Sequence, residues 1–272
     1  MSIPIEKVSA NAFTMNYFKF GRGEKTFVIL PGLSIQSVMG MADIIAQAYE
    51  LIAKEFTVYV FDRRNELPDS YSVYDMAKDT AEAFDALGLK EVYLFGASQG
   101  GMIALTIAVN RPELIKKLML GSTSANITEQ QYKALSKWVC LAREKEKVRL
   151  CLEMGENIYP EAMFEQYKDI LKKLGESVTE EELERFILLA EATKGFDISD
   201  KLNKIKCPVF AIGSTDDKVL PGGTEEIADL LSDKADFESF MYNGYGHAVY
   251  DTAPDYKERL LKFCLRSDKN FL

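Results

Sequence analysis

Short apolar runs recur along the chain in a rhythm that predicts alternating strands and helices. Six of them are rich in β-branched and aromatic residues and are followed by Gly, Pro, Asp or Asn, which is typical of buried strands. Amphipathic stretches such as residues 73–87 lie between them. Because alternating strands and helices build parallel sheets through right-handed crossovers, the pattern predicts an α/β fold. The predicted strands are residues 26–30, 57–61, 92–95, 117–120, 209–212 and 237–241.

Residues 124–195 interrupt this rhythm, because they show no strand pattern. Their periodicity predicts several helices, broken at Gly155, Pro160 and Gly175. A segment of this length is too long to be a connecting loop. We therefore expect a helical cap at 124–195, inserted into an α/β core made of residues 1–123 and 196–272.

The composition and charge of the chain limit the kinds of partner that it can bind. The chain has 272 residues, 47% of them hydrophobic, a net charge of −9 and a pI near 4.9. A negative chain does not suit nucleic acid or an anionic membrane surface, which both require a basic face. Residues 1–20 lack the apolar core of a signal peptide, and no later stretch is apolar for long enough to span a bilayer. The expectation is a cytoplasmic protein that acts on a small molecule.

Metal and cofactor sites are not predicted. Four cysteines are scattered without CxxC spacing, and the chain has one histidine, so the residues for a zinc site are missing. Reduced and mostly buried thiols are the expectation for these cysteines.

The segment GASQG at residues 96–100 carries the strongest chemical signal. An apolar strand precedes it and a run of helix formers follows it, so Ser98 lies in a strand-to-helix turn. Such a turn is a nucleophile elbow, which lifts a serine hydroxyl above the edge of the sheet. The pentapeptide alone is a weak signal, and its position between strand and helix raises its specificity.

A serine nucleophile needs a base and an orienting acid. His247, the only histidine, follows the last predicted strand and lies between small residues in NGYGHAV. The acid is expected after the strand before that one, where Asp216 and Asp217 are adjacent. Residues 121–128, after the preceding strand, contain no carboxylate. The residues alone leave the choice between Asp216 and Asp217 open.

These motifs resemble the α/β-hydrolase fold family, and within it the cap-bearing serine hydrolases related to esterases and lipases. The resemblance covers nearly the whole chain through segments that occur in the family's order: LPGLS, VFDRRN, GASQGG, NRPELIKKLMLGSTS, KIKCPVFAIGSTDDKV and GYGHAVYDTAPDY. It implies a mostly parallel eight-stranded sheet flanked by helices, with an inserted helical cap.

The resemblance also assigns roles to individual residues. It implies a triad of Ser98, His247 and Asp217, since the family's acid is typically followed by x-Val and a turn, as Asp217 is. It implies an oxyanion hole made by the backbone N–H groups of Leu33 and Gln99. Many members have a histidine where this chain has Pro31, so any role of that side chain is absent.

A serine at the elbow favours acyl transfer, because dehalogenases and epoxide hydrolases of similar fold have aspartate there. We expect hydrolysis of a small neutral carboxylic ester without a cofactor. Thioester, lactone, carbon–carbon bond and amide hydrolysis, acyl transfer, and a small-molecule receptor with vestigial hydrolysis remain alternatives. The sequence leaves the oligomeric state open. Cap residues at helical spacing are candidates for the pocket wall, namely Tyr132, Leu135, Trp138, Val139, Met154, Tyr159, Met163 and Phe164.

Overall fold

The computed structural model describes residues 2–267 and contains one eight-stranded sheet. Its strands are β1 (Glu6–Ala10), β2 (Phe13–Gly21), β3 (Lys25–Leu30), β4 (Phe56–Arg64), β5 (Val92–Ala97), β6 (Ile115–Gly121), β7 (Val209–Ser214) and β8 (Phe237–Tyr242). They lie in the order β1-β2-β4-β3-β5-β6-β7-β8. Strand β2 is antiparallel to both of its neighbours, and all pairings from β4 to β8 are parallel. The mostly parallel sheet expected from the sequence is confirmed.

Helices cover both faces of the sheet. They are α1 (Ala42–Ala48), α2 (Glu50–Ala53), α3 (Val73–Ala86), α4 (Gln99–Asn110), α5 (Glu129–Arg143), α6 (Lys147–Ile158), α7 (Glu161–Ser177), α8 (Glu180–Glu191), α9 (Gly223–Leu230), α10 (Val249–Thr252) and α11 (Tyr256–Leu265). Short 3₁₀ turns occupy Val38–Met41, Pro112–Leu114 and Ser199–Lys204.

The central strands are buried on both faces, which explains their continuous apolar sequence. On β3, Val28 and Leu30 join the apolar layer under α3 and α4, whereas Phe27 and Ile29 join the layer under α2 and α11. This alternation is that of a pleated strand, whose successive side chains point to opposite faces. The parallel arrangement brings the carboxyl ends of β3, β5, β7 and β8 to one edge, where the functional loops lie.

Four helices, α5 to α8, stand between β6 and β7, as the strand-free segment predicts. The chain enters and leaves this insertion at an antiparallel bridge between Asn126 and Asp197. Thr128 and Thr179 begin α5 and α8 with capping boxes, in which each side chain accepts from the amide three residues on. The first and last helices of the insertion, α5 and α8, therefore each begin at a capped residue.

Two of the three predicted helix breaks are wrong. Pro160 does separate α6 from α7, but Gly155 lies inside α6 and Gly175 lies inside α7. A Cβ on Gly155 would lie 2.3 Å from Leu171 Cδ1, and one on Gly175 would lie 2.5 Å from Val148 Cα. Gly175 lets α6 and α7 approach closely, because a side chain there would meet the backbone of α6, whereas at Gly155 a side chain would meet the movable end of Leu171.

Within residues 2–267, no helix combines the length and the apolar character needed to cross a membrane.

Candidate active site

Ser98 occupies a strained turn between β5 and α4. Its φ of 53° and ψ of −122° lie outside the usual regions for a residue with a side chain. The Ser98 amide donates to Gly121 O at 2.8 Å, and Thr123 Oγ1 donates to Ser98 O at 2.7 Å. A Cβ on Gly100 would lie 2.0 Å from Leu30 O, so the turn packs against β3 only with glycine there. The surrounding bonds hold the serine in the elbow conformation predicted from GASQG.

His247 and Asp217 complete a hydrogen-bonded chain that starts at this hydroxyl. His247 Nε2 lies 2.9 Å from Ser98 Oγ, and His247 Nδ1 lies 2.8 Å from Asp217 Oδ2. Both His247 and Asp217 are buried, whereas Ser98 is partly exposed. The structure thus places His247 next to Ser98, although the two residues are 149 positions apart in the sequence. A neutral imidazole in this arrangement carries its proton on Nδ1 and presents a free Nε2 to the hydroxyl.

The two adjacent aspartates have different partners. Asp217 Oδ1 accepts from the amides of Val219 and Leu220 at 2.8 and 2.9 Å, leaving Oδ2 for the imidazole. Asp216 accepts instead from the amides of Gly244 and Gly246 at 2.9 and 3.2 Å. Asp216 therefore fastens the backbone of the loop that carries the histidine, and only Asp217 contacts the histidine ring.

The environment keeps Asp217 ionised. Burial by itself would raise the pKa of this carboxyl. The charge of His247 and the hydrogen bonds from His247, Leu220 and Val219 outweigh burial and lower the pKa below its ordinary value. An ionised carboxylate at this position stabilises a positive charge on the imidazole.

The two residues expected to supply oxyanion donors border the same cavity as Ser98. Leu33 and Gln99 both border the cavity that contains Ser98, and a Cβ on Gly32 would lie 3.7 Å from Ser98 Oγ. Gln99 is the first residue of α4, so its N–H is one of the free donors at a helix start. Within residues 2–267, neither the Leu33 nor the Gln99 amide donates to a protein acceptor. No protein acceptor therefore competes for either amide.

A buried arginine joins the two segments that carry these amides. Arg63, which is 4% exposed, donates through Nη2 to Pro31 O at 2.8 Å and to Gln99 Oε1 at 3.1 Å. Gln99 Nε2 in turn donates to Leu189 O at 2.6 Å, which connects the elbow to α8. Burial lowers the pKa of Arg63, and the charge of Asp62 opposes that effect. Arg63 is not among the residues predicted for the site, although two adjacent arginines close to the end of the predicted strand 57–61 were a visible signal.

The cavity around Ser98 is small, at about 30 Å³. Of the predicted cap residues, Leu135 and Trp138 from α5 line it, together with Ile158 at the end of α6 and Thr193 after α8. Tyr159 and Met154 line neighbouring cavities instead. The remaining wall comes from Met102, Val219, Leu220, Tyr250 and the site residues themselves.

A wider cavity of about 460 Å³ shares Gly32, Leu33, Ile158 and Tyr250 with the first. Its wall is mainly apolar, with Asp251 and Lys257 at one end. The Asp251 side chain is exposed, but desolvation by the surrounding protein raises the pKa of its carboxyl, with partial opposition from the charge of Lys257. Burial, followed by the charge of Asp251, raises the pKa of Tyr159 to about 12.

Comparison with known proteins agrees with this architecture. A family model described as the α/β hydrolase fold matches residues 25–140, a range that includes the Leu33 loop and the elbow. The α/β hydrolase MGS-M2 from a deep-sea metagenome library superposes with a TM-score of 0.85 over 97% of this chain and 98% of that one, at 20% identity. The chain has the α/β-hydrolase fold.

Two curated proteins are similar to this chain in sequence. The serine hydrolase BPHL of Mus musculus is 31% identical over 51% of this chain and 51% of its own length, so the match spans about half of that relative. The RutD protein of Caulobacter segnis is 25% identical over 82% of this chain and 87% of its own length.

Proposed function

We propose that this α/β-hydrolase is a serine hydrolase that cleaves a small neutral carboxylic ester through an acyl-enzyme intermediate. The observation that carries the proposal is the hydrogen-bonded chain from Ser98 through His247 to Asp217, at a cavity that Leu33 and Gln99 also border. A hydroxyl, a base, an orienting carboxylate and a pair of oxyanion donors are the four parts that acyl transfer to serine requires.

Acylation begins with attack of Ser98 Oγ on the ester carbonyl carbon. His247 Nε2 takes the hydroxyl proton, and Asp217 stabilises the imidazolium that forms. The negative charge that develops on the carbonyl oxygen is bound by the amides of Leu33 and Gln99. The tetrahedral adduct then collapses, His247 gives the proton to the departing alcohol, and the acyl group remains on Ser98.

Deacylation repeats these steps with water. His247 Nε2 takes a proton from a water molecule as that water attacks the acyl carbonyl, and the same amides bind the oxyanion. Collapse breaks the bond to Ser98 Oγ, which regains a proton from His247. The products are a carboxylic acid and an alcohol, and the enzyme returns to its starting state.

The proposal includes a cap at residues 124–195 over a core of residues 1–123 and 196–272. Its support is that Leu135, Trp138 and Ile158 close the cavity that Ser98 opens into. Among the described residues that line this cavity, none is Lys, Arg, Asp or Glu. A neutral acyl group suits such walls, because a charge brought there would be desolvated without a partner.

Rapid mixing with short neutral esters tests the proposal. We expect steady turnover of the ester. If deacylation is rate-limiting, a burst of alcohol release equal to the enzyme concentration should precede that turnover. Ser98→Ala should abolish both while keeping the folded circular dichroism spectrum. Tight binding of the ester without turnover by the wild type would favour a receptor and would refute the hydrolase.

Carbamate hydrolysis is the second candidate, because RutD, whose name assigns it provisionally to that activity, matches most of the chain. Measuring kcat/KM for an ester and a carbamate of the same alcohol distinguishes these two candidate functions. A higher kcat/KM on the ester supports the proposal. A higher value on the carbamate would replace the substrate class but keep the serine mechanism.

A further inference from the structure

Helix α8 of the insertion contacts the core at the two segments that carry the expected oxyanion donors. One segment is the loop of residues 31–37, called the oxyanion loop below, which follows β3, contains Leu33 and has no helix or strand. The other segment is the start of α4, where Gln99 follows Ser98. A loop without regular structure depends on side-chain bonds for its position, so the residues that bond it also determine where its amides lie.

Arg185 of α8 binds the backbone at the end of β4. Its Nη1 donates to Arg64 O at 2.9 Å and to Asn65 O at 3.1 Å, and its Nη2 donates to Arg63 O at 3.3 Å. The same Nη2 lies 3.7 Å from Asp62 Oδ1. Because a guanidinium is a rigid planar fork of donors, these bonds fix the direction in which the strand ends.

The backbone fixed in this way carries the side chain of Arg63 toward both oxyanion segments. That side chain is 4% exposed and donates through Nη2 to Pro31 O and to Gln99 Oε1. Pro31 lies two residues before Leu33, and Gln99 is itself an expected oxyanion donor. The bonds that Arg185 makes therefore reach both segments through one intermediate residue.

Two further bonds join α8 to the same segments directly. Glu182, whose carboxylate also caps the start of α8, accepts from Gln36 Nε2 of the oxyanion loop at 3.2 Å on each oxygen. Gln99 Nε2 donates to Leu189 O at 2.6 Å. Glu182, Arg185 and Leu189 are three and four residues apart, so they lie on one face of the helix. One face of α8 thus bonds the oxyanion loop, the end of β4 and the start of α4.

We propose that α8 holds the two oxyanion segments in place beside Ser98, and that Arg185 is its main positioning residue, acting through Arg63. This inference rests on the proposed function and deepens it. Neither Arg185 nor Glu182 borders the cavity around Ser98, so neither contacts the reacting atoms. Their role is to hold the amides where negative charge develops, which stabilises the transition state more than the bound ester.

Replacing Arg185 by methionine keeps a long unbranched side chain and removes the guanidinium. For a short neutral ester, kcat should fall about tenfold, less than the roughly 10²- to 10³-fold loss that follows removal of an oxyanion donor, because the amides are displaced and not removed. KM should stay within about twofold, because Arg185 does not line the cavity around Ser98. The measurement is steady-state hydrolysis, with circular dichroism to confirm folding.

Arg143→Met is the matched control for the loss of an arginine that bonds α8. Arg143 Nη2 lies 2.7 Å from Glu191 Oε1, and this exposed ion pair joins α5 to α8 within the insertion. The variant should therefore keep both kcat and KM within about twofold of the wild type.

Two more variants test the route from α8 to the oxyanion segments. If Arg185 acts through Arg63, adding Arg185→Met to Arg63→Met should lower kcat by less than about twofold more, whereas independent losses would multiply. Gln36→Leu breaks the direct bond to Glu182 without changing α8, and should lower kcat about threefold with KM unchanged. This last variant also tests the inference if Arg185→Met does not fold.

The outcomes distinguish this inference from the function on which it rests. A lower kcat at constant KM in Arg185→Met, wild-type kinetics in Arg143→Met and no added loss in the Arg63→Met background support it. It is overturned, and the serine hydrolase left intact, if folded Arg185→Met or Gln36→Leu keeps the wild-type kcat, if only KM changes, or if the losses of Arg185→Met and Arg63→Met multiply. A wild type that cleaves no simple acyl ester overturns the proposed function and this inference with it.

Discussion

Replacing Asp217 by asparagine is the change whose effect the structure defines best. The carboxylate uses Oδ1 for the amides of Val219 and Leu220 and Oδ2 for His247 Nδ1. An amide has one oxygen, so it cannot make both sets of bonds. If the oxygen stays with the backbone amides, the NH₂ group faces Nδ1 and forces the imidazole proton onto Nε2. That proton then points at Ser98 Oγ, 2.9 Å away, and the base is lost.

The expected loss is about 10³- to 10⁴-fold in kcat, or about 4–5.5 kcal/mol, as for the same change in other serine triads. KM should change little, because Asp217 does not line the cavity around Ser98. The assay is steady-state hydrolysis of a short neutral ester, with circular dichroism to confirm folding. Asp216→Asn is the matched control, since it can keep the shorter bond to Gly244 and loses the longer one to Gly246. Its expected loss is below about tenfold, the scale of one neutral hydrogen bond.

Comparable losses in the two variants, or a greater loss in Asp216→Asn, would refute the assignment. An acid titration of stability gives an independent check. Because the folded protein lowers the pKa of Asp217, its carboxylate stabilises the fold above the ordinary aspartate pKa of about 3.9, and this contribution is lost as pH falls through the lowered value. The stability difference between wild type and Asp217→Asn should therefore shrink in acid. A difference that stays constant from neutral pH to pH 2 would contradict the lowered pKa.

Three further predictions address the charge of the acyl group, the role of Arg63 and the exposure of the cysteine thiols. Neutral short-chain esters should exceed esters with an anionic acyl tail by about tenfold or more in kcat/KM, and equal efficiency in side-by-side assays at moderate salt would contradict the uncharged wall. Arg63→Met keeps a long unbranched side chain but removes the Nη2 donor that bonds both Pro31 O and Gln99 Oε1, so kcat should fall by about tenfold with less change in KM; an effect on KM alone would argue against a role in positioning the amides. A thiol reagent should label one cysteine of the native protein, the exposed Cys140, and all four after unfolding, since burial raises the pKa of Cys151 to about 11 and of Cys207 to about 12; native labelling of more than one thiol would contradict this burial.

Much of the fold was predictable because the central strands are apolar on both faces. All six predicted runs are strands, β3 to β8, and the strand-free segment contains α5 to α8. Strands β1 and β2 escaped the pattern, since polar residues such as Lys7, Asn16 and Lys19 interrupt them. They lie at the end of the sheet, where one face meets solvent and the apolar signal is weaker.

The helix breaks show where local reasoning failed. Glycine lowers helix propensity, so Gly155 and Gly175 were interpreted as breaks. The structure keeps both inside helices, and the close packing of α6 on α7 requires a position without a side chain at Gly175. Packing between α6 and α7 thus overrode the low helix propensity of glycine. The periodicity of the sequence carries no information about such packing.

The site was predictable in its motifs but not in its supports. The position of Ser98 in a strand-to-helix turn and the single histidine pointed to the residues that the structure brings together. Arg63 was missed, because its bonds reach Pro31 and Gln99 across 32 and 36 residues.

Covalent labelling with a fluorophosphonate tests the central claim most directly. The reagent phosphonylates a serine only where a base removes its proton and oxyanion donors hold the phosphoryl oxygen. Intact-mass analysis of the wild type should show one adduct, peptide mapping should place it on Ser98, and ester hydrolysis should fall in proportion to labelling. Ser98→Ala and Asp217→Asn should label at least about 100-fold more slowly. A folded wild type that takes up no label, or an adduct that persists in Ser98→Ala, would contradict the account.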